Sequence, residues 1–397
     1  MALCAAVNCR GQARLTFIEA LKTAAEGNPT LRRQHYDTAA AEADIITAGL
    51  RPNPQITANG DMLSSRLPVL TPEAKQYGLS LSVPLEMGGK RDARLAYAEK
   101  NRETTAAGYF DARRQMMIAV ANAWFDVAQA RLARDVISRA RSILDSVTAV
   151  NRVRLKDQVI TPTELVRSQV AAQQYELLQR EAELQLLKAE RALGILLGSA
   201  DPIDIDDRAD IDFTPPTLDS MLAFAADHRS DVMVARAAME AASANQSLQQ
   251  ANASADISLS ADYIRQQGTP FYGISFTMPL PFFSRNQGEI QKSSIARQQA
   301  ELNYETTKRQ IAAEIQAVYE EYRLRNESLA KFEGLLASAE KIRSAIEYAY
   351  RTGNTTILDF LDAQRTWFDT RQAYNDALIS FRRSRALLAV TSGLLAV

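Results

Sequence analysis

The chain has 397 residues, 46% of them hydrophobic and 23% charged, with only 16 Gly and 13 Pro, a composition that favours long uninterrupted elements. With 46 Lys and Arg against 47 Asp and Glu, the net charge is −1, so no basic excess exists to neutralise phosphates and nucleic acid is excluded as an expected partner. Two His and two Cys exclude a metal site of ordinary composition, and Cys4 and Cys9 both lie so early that the rest of the chain has no disulfide framework.

Met1 to Val7 is apolar and uncharged, and Gly11-Gln12-Ala13 places small residues at the two key positions of a signal-cleavage site. Residues 1–13 therefore read as the remnant of a secretory signal whose basic start lies upstream, with a mature chain beginning near Arg14. A lipidated Cys9 is an alternative, although Ala6-Val7-Asn8 is a poor lipidation box; a frayed terminus is another. No run of about 18 apolar residues occurs elsewhere, so no transmembrane helix is expected. The longest uncharged stretch, Gln266 to Ser284, is broken by Pro270, Pro279 and Pro281.

Sliding the sequence on itself by about 195 to 201 residues aligns features through most of its length. Tyr77-Gly78-Leu79-Ser80-Leu81-Ser82-Val83-Pro84-Leu85 faces Tyr272-Gly273-Ile274-Ser275-Phe276-Thr277-Met278-Pro279-Leu280, identical or similar at every position. Thr161, Leu165, Gln169 and Gly198 fall opposite Thr356, Phe360, Gln364 and Gly393. The chain thus reads as a duplication. The first repeat, 14–200, holds early helices, a β-hairpin at about 54–87, a long helix at 90–151 and a helix at 162–198. An acidic, Pro-containing linker, 201–216, leads to the second repeat, 217–397, with early helices, a hairpin at about 255–283, a long helix at 286–351 and a helix at 356–393.

Both hairpins alternate with period two, giving each strand one wet and one apolar side. Leu79, Leu81 and Val83 oppose Gly78, Ser80 and Ser82; Leu259, Ala261 and Tyr263 oppose Ser258, Ser260 and Asp262; Ile274, Phe276 and Met278 oppose Gly273, Ser275 and Thr277. Ile56, Ala58 and Met62 form the weakest stripe. Strands of about nine residues with a lipid-like side and a hydroxyl or carboxylate side suit a membrane β-barrel. A soluble four-stranded sheet packed on helices shows the same alternation, but it leaves unexplained why each half is mostly helix. The long helices contain no Pro and only Gly108 and Gly334 as weak breaks, so each could extend about 90 to 100 Å. Ile118, Ala121, Phe125, Ala128, Leu132, Val136, Ala140, Ile143, Val147 and Val150 follow near three-four spacing, as do Ile311, Ile315, Val318, Tyr322, Leu329, Phe332 and Leu336. This is coiled-coil packing, which a plain scaffold would also show.

Four strands cannot close a membrane barrel, and an open edge in lipid strands backbone groups at several kcal/mol each. The membrane reading therefore demands oligomerisation: two chains supply eight strands, three supply twelve, and the lumen widens with strand number. The arrangement and several motifs resemble the TolC family of outer-membrane efflux channels from Leu15 to Gly393. Leu85-Glu86-Met87-Gly88-Gly89-Lys90-Arg91 and Leu280-Pro281-Phe282-Phe283-Ser284-Arg285-Asn286-Gln287-Gly288 look most like the CzcC-type branch, which serves heavy-metal pumps of the resistance-nodulation-division (RND) class. Tyr350-Arg351-Thr352-Gly353 followed by Leu358-Asp359-Phe360-Leu361-Asp362-Ala363-Gln364 also matches. The resemblance implies a mainly α, duplicated fold with a small β part: a homotrimer with a twelve-stranded barrel in outer-membrane lipid and a twelve-helix periplasmic tunnel. It further implies docking to a periplasmic adaptor, an inner-membrane RND pump as motor, and export of cobalt-, zinc- or cadmium-type cations without a cofactor. A duct for drugs or other organic compounds has the same architecture, and a soluble coiled-coil scaffold or adaptor is the alternative from another class.

Thr161-Pro162-Thr163-Glu164 reads as a helix cap with its capping-box acid, and Thr356-Ile357-Leu358-Asp359 repeats it. Capping thus accounts for Asp359. It leaves Asp362 unexplained, one turn on and opposite Arg167 in the duplication; the i, i+3 spacing puts both carboxylates on one face. By resemblance the pair matches the aspartates that ring the periplasmic aperture, six in a trimer, where a carboxylate ring favours cations. Tyr350 and Glu164 match other aperture positions, whereas Thr355 departs from TolC itself, which has Arg there. Arg154, Leu155, Lys156 and Asp157, with Gly353, Asn354 and Thr355, would form two helix-turn-helix tips, either adaptor contacts or solvated turns. Nothing supports catalysis: Gly88-Gly89-Lys90 lacks the rest of a phosphate loop, and His35 and His228 sit beside Arg33 and Arg229 or nearby rather than among ligands.

Overall fold

The computed structural model describes residues 14–63, 74–199, 203–206 and 213–395. The expected signal remnant and half of the linker, 201–202 and 207–212, lie outside the described residues. Element order runs α1 (Phe17–Gly27), α2 (Pro29–Gly49), β1 (Gln55–Leu63), β2 (Ala74–Leu85), α3 (Lys90–Lys156) and α4 (Pro162–Leu197). It continues with α5 (Leu218–His228), α6 (Ser230–Ala251), β3 (Ile257–Gln266), β4 (Thr269–Thr277), α7 (Gln287–Arg351) and α8 (Ile357–Thr391). The chain is mainly helical, with all four strands in one antiparallel sheet ordered β1-β2-β3-β4. Helix α3 continues to Lys156, past Asn151, because no residue that breaks a helix intervenes; Gln158, at φ 59°, turns the chain just beyond its end. Among the described residues, no helix is long and apolar enough to cross a membrane.

The residues fall into two compact units. One comprises Met1–Arg33, Asp111–Arg229 and Gln310–Val397; the other comprises Gln34–Phe110 and Ser230–Arg309. In the first, α1 begins with a reciprocal Thr16/Glu19 capping box and lays Phe17, Ala20, Leu21 and Ala24 inward. Phe17, Trp124 and Phe125 meet at centroid separations of 5.6, 5.7 and 4.9 Å, in a core completed by Val120, Leu193, Ile379 and Val390. Leu15 bridges Ile205 in parallel, so the segment after the first repeat closes over this core.

Along α3 the buried stripe agrees with the sequence reading as far as Ala140. Beyond it, the reading places Ile143, Val147 and Val150 in the seam, but the fully buried residues are Leu144, Thr148 and Asn151, while Val150 is 50% exposed. A strict heptad drifts about 20° per repeat around a straight helix, enough to carry the seam onto the neighbouring row. Helix α7 has no fully buried residue between Ile315 and Ala339, so its expected stripe through Tyr322, Leu329 and Phe332 is covered only in part within one chain.

In the second unit the register aligns the stripes of all four strands. Ile56 pairs with Leu81, Ala58 with Leu79, Leu79 with Tyr263, Leu81 with Ala261, Leu259 with Phe276 and Ala261 with Ile274. One face is therefore continuously apolar and open: Ile56, Leu79, Leu81, Leu259, Tyr272, Ile274 and Phe276 are all exposed. On the other face, Asp262 accepts hydrogen bonds from Ser80 Oγ at 2.5 Å, across the boundary between the two hairpins, and from Ser275 Oγ at 3.0 Å within the second. A two-residue turn, Gln267-Gly268, with φ of 51° and 86°, joins β3 to β4, as the right-handed twist of a tight hairpin requires.

Candidate functional site

Two places carry the chemistry: the sheet, and the ends of α3 and α7 where each chain direction reverses. The sheet has an apolar face, a hydroxyl and carboxylate face, and two edge strands, β1 and β4, whose outer ladders have no partner among the described residues. That is one portion of a barrel wall, with lipid on one side and water on the other.

At the reversal, Tyr350 ends α7 and is 7% exposed. Its hydroxyl donates to Asn151 Oδ1 at 2.7 Å, and its ring stacks on Phe360 at 5.0 Å. The Arg154 guanidinium lies 5.3 Å from the ring centre and donates to the carbonyls of Tyr350 at 3.3 Å and Arg351 at 2.9 Å. Those carbonyls belong to the last turn of α7, which lacks intrahelical donors, so Arg154 from the end of α3 caps its neighbour. Burial raises the Tyr350 phenol above its ordinary value, the Asn151 hydrogen bond and Arg154 oppose the rise, and the Glu164 charge adds to it. Below that value the phenol keeps the proton it donates. A groove of about 470 Å³ runs beside this cluster, lined by Ile143, Val147, Val150, Arg154, Glu347 and Tyr350 among others.

The two predicted caps form. Glu164 accepts from Thr161 N at 2.7 Å, and Thr161 Oγ1 accepts from Glu164 N at 3.4 Å. Asp359 Oδ2 accepts from Thr356 Oγ1 at 2.7 Å, Thr355 Oγ1 at 2.9 Å and Thr356 N at 3.2 Å. The Thr356 and Thr355 hydroxyls, then the Thr356 amide, hold the Asp359 carboxyl below the usual carboxylate range. Thr355 thus serves the cap. Asp362 is exposed and has no hydrogen bond or ion pair among the described residues. One carboxylate is therefore committed through one oxygen, while the other accepts no bond among the described residues.

The linkage has a definite sign. With its folded value depressed, Asp359 stabilises the first turn of α8 above the ordinary carboxylate range, and that contribution is lost as pH falls through the lowered value. Amide exchange of the peptide 352–362, corrected for intrinsic rate, should accelerate on acidification, and Asp359→Ala should show fast exchange already at neutral pH. A protection profile unchanged in the variant would remove the cap from the account.

Of the predicted tip residues, Arg154 and Leu155 are half-buried, while Lys156, Asp157, Gly353 and Asn354 are exposed. Arg154 points its donors inward to α7, and Gly353 takes φ 79°, a left-handed turn after the helix end. Asn151 was not singled out by sequence, although a polar residue in a coiled-coil seam is its signal; Asn151 Nδ2 and Thr148 Oγ1 have no partner among the described residues. His228 stacks on Phe224 at 4.6 Å, and His35 meets the edge of Tyr109 at 6.3 Å. No group of three His, Cys, Asp or Glu among the described residues is placed to hold a metal ion.

Long helices and a sheet with one lipid-like face and unclosed edges are the parts of a channel subunit in an outer membrane. The sequence pattern of the family described as Outer membrane efflux protein matches residues 20–199 and 222–394, and the chain belongs to that family. It is 25% identical to the cobalt-zinc-cadmium resistance protein CzcC of Cupriavidus metallidurans, over 91% of this chain and 85% of that protein. It is 24% identical to the probable outer membrane lipoprotein SilC of Salmonella typhimurium, over 82% and 73% of the respective chains. The crystal structure of CusC superposes with a TM-score of 0.80 at 18% identity, covering 96% of this chain and 92% of that one. The fold is therefore the TolC-like one expected from the sequence. The protein belongs to the outer membrane, with its helices forming a tunnel on the periplasmic side, and a soluble scaffold is set aside.

Proposed function

We propose that three copies of this chain form a passive exit duct for divalent heavy-metal cations, docked through its helical tips to a periplasmic adaptor and driven by an inner-membrane RND pump. Three chains supply twelve strands and so satisfy the free edges of β1 and β4, which a single sheet leaves open. The exposed row Val166, Val170, Leu177, Leu184 and Ile195 on α4 keeps coiled-coil spacing and offers a seam to a neighbouring copy. For the cargo, the observation that carries the reading is similarity over nearly the whole chain to a protein named for cobalt, zinc and cadmium resistance. Asp359 and Asp362 fit it: repeated by threefold symmetry, they give six carboxylates at one constriction, which favours cations. The described residues hold no ligand cluster that would select an ion, and in this reading selection belongs to the pump. The exposed turns at Lys156-Asp157 and Gly353-Asn354 supply the adaptor contact.

Expression in a host sensitive to both metals and drugs, together with an adaptor and pump pair that exports divalent metals, tests the cargo. Tolerance to cobalt, zinc or cadmium should return while tolerance to organic drugs stays unchanged. Restored drug tolerance without metal tolerance would overturn the metal reading in favour of organic export.

A further inference from the structure

The duplication gives α3 two helical partners within the chain and leaves its counterpart, α7, one short. Helix α3 packs on the short helix of its own repeat, α4, where Arg141 donates to Gln179 at 3.2 Å. It also packs on the short helix of the other repeat, α8. There Val136, Ala140 and Phe368 share a core cluster, Gln129 donates to Asp376 at 3.0 Å, and Arg383 pairs with Asp126 at 2.6 Å. Helix α7 packs on its own α8, with Tyr322 stacked on Phe381 at 5.7 Å and Arg343 over the Trp367 ring. Another side of α7 stays open, where Leu324, Leu335 and Ile342 are exposed. It corresponds to the side of α3 that α8 covers: the repeat that sets Thr161 opposite Thr356 sets Ala140 opposite Leu335.

Helix α4 carries a row that fits this opening. In its own chain α4 packs on α3 and α8, with Tyr175 edge-on to Phe368 at 5.1 Å, yet Val170, Leu177 and Leu187 are exposed along it. Counted from the tip, where α4 begins and α7 ends, the two rows keep step in opposite chain directions. Val170 and Ile342 each lie about two turns from the tip end of their helix. Leu177 and Leu335 come one heptad further, and Leu187 and Leu324 about three turns beyond those. The charges agree as well. In the repeat, Asp126 falls opposite Glu321 on α7 and Arg383 opposite Lys188 on α4, so the α3–α8 ion pair has counterparts of the same signs. Within one chain, Lys188 is exposed with no hydrogen bond or ion pair among the described residues, and Glu321 meets Arg325 on its own helix at 3.4 Å.

We propose that α4 of one copy lies antiparallel on the open side of α7 of the next, with Val170 against Ile342, Leu177 against Leu335, Leu187 against Leu324, and Lys188 paired with Glu321. The proposal rests on the oligomeric reading above and names the two faces that meet. The occupant is a second copy because α8, the repeat counterpart of α4, already covers the corresponding side of α3, and the ion pair there has the same polarity. In this register Gln173 falls level with Ser338, so polar positions meet polar ones between the leucine layers. The contact is heterologous, α4 on one side and α7 on the other, and therefore leads from copy to copy around a ring instead of pairing two chains face to face.

The test is oxidative cross-linking of two co-expressed full chains with tags of different length, both Cys4→Ser, Cys9→Ser, one carrying Leu177→Cys and the other Leu335→Cys, extracted together from membranes. A mixed dimer should form, whereas Leu177→Cys with Leu324→Cys, three turns out of register, should give none. Equal yields from the two combinations would overturn the register. Dimers from Leu177→Cys chains alone would seat α4 on α4 and overturn the seam. A stable oligomer without the mixed dimer would overturn the seam and leave the oligomer standing; a monomer by light scattering would bring down the oligomeric reading with it. Charge exchange reads the ion pair separately. Lys188→Glu and Glu321→Lys should each lower the temperature at which the oligomer dissociates on gels, and the two together should recover it; no recovery in the double variant would overturn the pair.

Discussion

Ile274→Arg should leave little assembled protein in the outer membrane, while Ser275→Arg at the next position should assemble. Ile274 is 83% exposed on the apolar face, opposite Ala261, whereas Ser275 lies on the wet face beside Asp262. A charged side chain facing lipid near the middle of a barrel costs about 2–4 kcal/mol, and threefold symmetry imposes that cost three times on one assembly. The Ser275 side faces water, where a guanidinium keeps its hydration. Heat-modifiable oligomer in membrane extracts is the readout. Equal assembly of the two variants would show that the two faces do not differ in solvent, and would contradict the barrel.

The second large effect belongs to the core of the helical unit. Trp124 is 2% exposed and meets Phe17 and Phe125 edge-on, so Trp124→Ala should cost about 3–5 kcal/mol through lost packing and the cavity left behind. Trp124→Phe should cost much less. The indole Nε1 is buried with no acceptor among the described residues, and removing an unsatisfied N–H returns about 1–3 kcal/mol of desolvation against the smaller loss of volume. Denaturant unfolding followed by far-UV dichroism separates the two variants. Equal losses would mean that the N–H is satisfied after all.

The strand faces were legible in the sequence because a period of two admits only two sides, and the register keeps those sides intact across all four strands. Which strands neighbour each other was not legible. The β2 to β3 ladder joins Leu79 to Tyr263 across the duplication, and alternation within a strand carries no information on so distant a partner. The helix caps were legible too, since Thr161 and Thr356 with an acid three residues on specify a local geometry that needs no tertiary help. The seam near the tips was not. A rigid heptad count led to Val150, while the helix turned Asn151 inward to meet Tyr350, and only the neighbouring helix decides which row is covered. The inward turn of Arg154 was hidden for the same reason: its acceptors are carbonyls on α7, which side-chain sequence does not display.

The two carboxylates proposed for the aperture, Asp359 and Asp362, join the structure to the proposed transport most directly. Asp359 spends one oxygen on its cap and Asp362 none, so a trimer with both at its constriction should pass cations in preference to anions. Reversal potentials across planar bilayers under a salt gradient, for the purified oligomer and for Asp359→Ala, Asp362→Ala, measure that preference. The account predicts cation-selective conductance that loses its selectivity in the double variant; the same cation preference in both proteins would contradict it.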